Sequence, residues 1–141
     1  MTPDEIRTAI SADPAILALV PDTQSIAAAL SVGRTKVAPM LGGIGVVMET
    51  LGPDVGSAVL DGLDALKAVS SPVKWAWVLI NRGELDFGSP ATRGMIQQLE
   101  SGGAIPTDAA NALLALAEVP DPISEFDVRK AIFNDDGSSA L

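Results

Sequence analysis

An all-α fold, a single-domain bundle of about eight or nine short helices, is the expectation for these 141 residues, and three observations carry it. Helix-start signals built on Ser, Thr or Asp recur along the chain, several followed directly by proline, and each precedes an apolar pattern. Hydrophobic residues make up 48% of the chain but aromatics only 4%, so the interior must be aliphatic, which suits packed helices. Strand-like composition is confined to one stretch.

The elements can be justified in order. Thr2-Pro3-Asp4-Glu5 supplies a cap, a proline in the first turn and a glutamate three residues after the cap, so a helix should run to about Ala12. Asp13-Pro14 repeats the signal before Ala15–Val20. Asp22 or Thr23 caps a third segment that ends at Gly33, where glycine can take the left-handed conformation. Gly52-Pro53 opens a segment to about Val69, with Val55, Val59, Leu63 and Leu66 as its apolar stripe. Ser71-Pro72 starts a helix closed by Gly83, Ser89-Pro90 another closed by Gly102-Gly103, and Thr107 caps Asp108 to Glu118. Ser124 with Asp127 precedes Val128, Ile132 and Phe133. Val73–Ile80 is the ambiguous stretch: its β-branched and aromatic residues could form a buried strand, but a lone strand has no partner, so helix is preferred. Val20-Pro21-Asp22 and Val119-Pro120-Asp121 echo one another and read as two helix starts, not as a repeat. One core is expected, in a helical domain over residues 1–133, followed by a flexible acidic tail over 134–141.

Composition narrows the chemistry. The chain has no histidine, cysteine or tyrosine, which removes the residues that most often act as base, nucleophile or metal ligand near neutral pH. A net charge of −9 argues against direct contact with a nucleic-acid backbone and against anionic membrane surfaces. Thr2–Glu5 is acidic where a secretory signal would be basic, and the uncharged stretch from Val37 to Met48 is too short to cross a bilayer. No enzyme activity, no cofactor and no catalytic, cofactor-binding or metal site is therefore expected. Asp54, Asp61 and Asp64 could approach one another around a cation, but a solvated helix face with Lys67 pairing Asp64 is the better reading. Gly42-Gly43-Ile44-Gly45 lacks the strand, the spacing and the Lys-Ser/Thr that a phosphate loop needs, which leaves close backbone packing.

What the sequence does offer is a candidate protein interface. Met40, Leu41, Ile44 and Met48 are adaptable apolar residues on a glycine-rich backbone, for which core is the better reading and an interface the alternative. Trp75 and Trp77, the only tryptophans, would point in nearly opposite directions from a helix, so either one of them reaches the surface beside Lys74 and Arg82 or the helix is buried on both sides.

Both ends of the chain carry a resemblance. Thr2–Arg7, Val20–Ala27 and Leu30–Thr35 resemble the opening, and Leu116–Ile132 the close, of small uncharacterised proteins encoded by tailed bacteriophages and prophages. The match spans less than half of the chain and brings no catalytic residues with it. It implies a phage gene product from the late or tail-associated part of a genome. On that reading the protein is a virion or assembly component that contacts other phage structural proteins or itself, in the host cytoplasm and in the particle. The alternative is a small acidic inhibitor of a host enzyme or defence complex.

Overall fold

The computed structural model describes residues 1–141, and 60% of them are helical. Nine helices occur: α1 (Pro3–Ala12), α2 (Pro14–Leu17), α3 (Thr23–Ser31), α4 (Ile44–Leu51), α5 (Pro53–Leu66), α6 (Ser71–Asn81), α7 (Pro90–Ser101), α8 (Thr107–Ala115) and α9 (Glu125–Ile132). The only strands are short: β1 (Thr35–Val37), β2 (Leu41–Gly42), β3 (Leu85–Asp86) and β4 (Glu118–Pro120). The fold class is therefore the expected mostly helical one.

Helix starts follow the sequence closely because free amides in a first turn need acceptors. Thr2 accepts from the Glu5 amide while Glu5 reaches back to the Thr2 amide, a complete capping box. That Thr2 amide holds the Glu5 carboxyl below its ordinary range. Asp13, Asp22, Ser89 and Ser124 cap their helices through their side chains. The hydroxyl and amide of Ser25 likewise lower the pKa of Asp22. Two caps fall one residue earlier than expected. Ser70, not Ser71, accepts from Val73, and the extended Pro106 precedes α8, so the Thr107 hydroxyl is free to donate to Glu100 at 2.8 Å.

Other boundaries moved as well. Helix α8 stops at Ala115 and Glu118–Pro120 is extended, the conformation that Pro120 favours for Val119 before it. Asp121 therefore caps nothing; its carboxylate pairs with Arg34 at 2.9 Å. The ambiguous Val73–Ile80 stretch is helix throughout. Helix α4 was not marked in the sequence, since its N-cap is Gly43 and no side chain caps it.

The single core expected from length becomes two clusters, each in its own compact unit. Unit 1 comprises residues 1–36 and 120–141. In it Ile6 and Ile10 of α1, Ile26 and Ala27 of α3, and Val128, Ala131 and Ile132 of α9 are buried with Ile123. Each fully buried isoleucine contributes roughly 1.5–3 kcal/mol. The Thr23 hydroxyl donates to Glu125 at 2.7 Å and Arg7 to the Ala131 carbonyl at 3.0 Å, tying α3 and α1 to α9. In residues 134–141 the Asn134 amide bonds the Ser138 carbonyl at 2.7 Å and the Ala140 amide that of Ile132 at 2.8 Å.

Unit 2 comprises residues 37–119. Its cluster takes Val47 from α4, Val59 and Leu60 from α5, Ile80 from α6, Leu85 and Phe87 after α6, Ile96 from α7 and Leu113 from α8. Strands β2 and β3 pair antiparallel with Leu41 opposite Asp86 and Gly42 opposite Leu85. Asp86 Oδ1 accepts from the amides of Met40 and Gly88, both at 2.9 Å, and so stitches the two segments. The Gly42-Gly43 pair is a packing device: a Cβ on Gly43 would stand 2.6 Å from the Ile80 carbonyl oxygen and 2.7 Å from Gly83 Cα. Gly83 is itself needed at φ 70°, where it closes α6 with its amide on Ile80 and that of Glu84 on Leu79.

Gly43→Ala is expected to destabilise unit 2 by about 1–3 kcal/mol, because backbone atoms cannot rotate out of the way. Gly45→Ala, two residues on in α4 with open space at its Cβ position, should be neutral or stabilise by about 0.5–1 kcal/mol. Urea unfolding of both variants checks the contrast.

Candidate functional site

Helix α6 is held by one side only. Val73 and Ile80 are buried, and Ala76 and Trp77 pack against the unit 2 cluster. At 100° per residue this places Ser71, Lys74, Trp75, Val78, Leu79 and Arg82 on the opposite side. Trp75 is 62% exposed and Leu79 39%. They form one wall of an open cleft of about 270 Å³, with Thr92 and Met95 of α7 among the residues opposite.

The charge of this face is opposite to that of the whole chain. Lys74 and Arg82 make no ion pair, whereas Lys67, just after α5, pairs with Asp64 at 2.6 Å as the sequence suggested. Lys74 Nζ stands 5.2 Å from the Trp75 ring centre and Lys67 Nζ 5.3 Å from that of Trp77. Each contact is worth about 0.5–1 kcal/mol at an exposed site, enough to orient the lysine without neutralising it. The outer side of α6 is thus apolar and cationic, with no carboxylate among its residues.

The six residues singled out in the sequence divide evenly. Met40, Met48 and Trp77 pack against the unit 2 cluster. Leu41 is 61% exposed on β2, Ile44 39% exposed at the start of α4, and Trp75 outward on α6. The two tryptophans do face apart, for the geometric reason the sequence supplied. Asp54 and Asp61 lie on the outer side of α5, and no group of three acidic side chains stands close enough to hold a metal ion.

Comparison with protein families, curated proteins and solved structures finds no match. The site must therefore be read from its own geometry.

Sequence reasoning missed a second exposed aromatic. Phe126 is 67% exposed, has Lys130 Nζ 5.3 Å from its ring centre, and borders an open cleft of about 430 Å³ with Arg129 and Phe133. The signal was available: Phe126 lies far around α9 from the buried Val128 and Ile132. Here, however, Arg129 is already paired with Glu125 at 3.1 Å, and Asp135 shares the cleft, so the charge is mixed. A recess of about 290 Å³ beside α5, lined by Val55, Ala58, Ala104 and Pro106 with Asp54, was equally unforeseen. It joins residues some fifty apart in sequence, which no local pattern can announce.

Replacing Trp75 by alanine should cost no more than about 1 kcal/mol, the worth of its contact with Lys74 at an exposed position. Trp77→Ala should cost about 2 kcal/mol or more, because it removes packing from the core side of α6. Thermal melts of the two variants separate these outcomes.

Proposed function

We propose that this protein is a non-enzymatic bacteriophage protein, a virion or tail-associated component, that works through protein–protein contact on the outer side of α6. The observation that carries the reading is Trp75. A large aromatic left 62% exposed beside unpaired cations presents most of its surface away from its own unit, and tryptophan and arginine are among the residues that binding hot spots favour. The chain's lack of histidine, cysteine and tyrosine supports a role in assembly over one in chemistry. Its phage origin rests on the segments Thr2–Arg7, Val20–Ala27, Leu30–Thr35 and Leu116–Ile132. On this reading the protein is made in the host cytoplasm and is carried into the particle by its partners.

The test is to purify particles from a host in which the gene is expressed in its native setting and to identify their proteins by mass spectrometry. The chain should be present in the particle, and Trp75→Ala should deplete it without lowering its amount in the lysate. Absence of the unaltered protein from particles would contradict the proposal.

A further inference from the structure

We propose that copies of this chain join head to tail, the Trp75 indole of one copy seating in the recess beside α5 of the next. The inference rests on the contact function proposed above and names its partner: a second copy.

Three features of unit 2 fit together. The first is the knob, an exposed indole on the outer side of α6 with Lys74 Nζ over its ring and Arg82 seven residues on. The second is the recess lined by Val55, Ala58, Ala104 and Pro106. Its volume of about 290 Å³ is at the lower end of those that take small ligands, the scale of a single aromatic side chain. The third is charge. Asp54 borders the recess, Asp61 follows on the same side of α5, and neither is ion-paired. Lys74 and Arg82 are about 12 Å apart along their helix and Asp54 and Asp61 about 10 Å along theirs, from the helical rise alone. Two cations can therefore meet two carboxylates across one helix-on-helix contact. Ala58 and Ala65, the small residues on that side of α5, let another helix approach.

Knob and recess are different patches, and no residue lines both the recess and the Trp75 cleft. A contact between two different patches is heterologous, so repeated use gives a ring or an open chain, not a closed pair. That is the geometry by which one small protein supplies many copies to an assembly.

The experiment is sedimentation of the full chain across a concentration series, beside Trp75→Ala, Lys74→Glu and Asp54→Lys, each checked for helix content by circular dichroism. The unaltered chain should grow beyond 14.4 kDa with concentration. Each variant should associate about thirtyfold more weakly or worse, a hot-spot-sized loss. Mixing Lys74→Glu with Asp54→Lys should restore association, because each then offers the charge the other lacks. A chain that stays monomeric throughout, variants that associate like the parent, or a mixture that fails to recover would each overturn the inference. A monomeric parent whose Trp75→Ala variant is still lost from particles would leave the contact function standing and reject only the second copy as partner.

Discussion

The close seating of Gly43 against the last turn of α6 is the constraint on which unit 2 depends. No side chain intervenes: the Gly43 position lies within 2.7 Å, measured from an ideal Cβ, of both Ile80 and Gly83 backbone atoms. The contact fixes where α6 ends, and the turn at Gly83 then delivers Leu85 and Phe87 into the cluster. Asp86, between them, spends its carboxylate on the amides of Met40 and Gly88 and locks the β2 segment in register. With its inner side committed to Val73, Trp77 and Ile80, α6 has only one direction left for Trp75. The exposed indole is therefore a consequence of how the helix is anchored.

Electrostatics gives that consequence its direction. Eighteen carboxylates against nine cations leave the chain strongly acidic, and most of its arginines are already paired or bonded to carbonyls within their own unit. Arg93, for example, donates to the Leu114 carbonyl at 2.8 Å and meets Glu118 at 3.5 Å. Lys36, Lys74, Arg82 and Lys130 make no ion pair, and of these Lys74 and Arg82 share the outer side of α6. Free cations beside free apolar surface complement the acidic and apolar partner proposed above, and charge complementarity of this kind governs approach and specificity more than raw affinity.

The helices were legible because their determinants are local. A cap needs an oxygen three residues from an amide, and Thr2, Asp13, Asp22, Ser89 and Ser124 announce themselves in the sequence. Helix α4 was silent because glycine caps by conformation and leaves no side-chain signature. The one-residue shifts at Ser70 and Pro106 show the limit of the same logic, since adjacent residues compete for the cap. Of the candidate site, the opposition of Trp75 and Trp77 followed from helical geometry alone. Which of them faces outward did not, because it depends on Gly43, Leu85 and Phe87 arriving from outside the helix. The two core clusters and the recess beside α5 were hidden for the same reason: unit 1 unites the two ends of the chain, and the recess unites α5 with the loop before α8.

The central claim is that α6 is anchored with Trp77 inward and Trp75 outward. Fluorescence quenching by acrylamide in two single-tryptophan variants tests it most directly. Trp77→Phe, which leaves Trp75 as the only fluorophore, should emit at the long wavelengths of a hydrated indole and be quenched freely; Trp75→Phe should emit further to the blue and resist quenching. Equal protection of both indoles, or the reverse order, would contradict the orientation of α6 and with it the contact surface built on it.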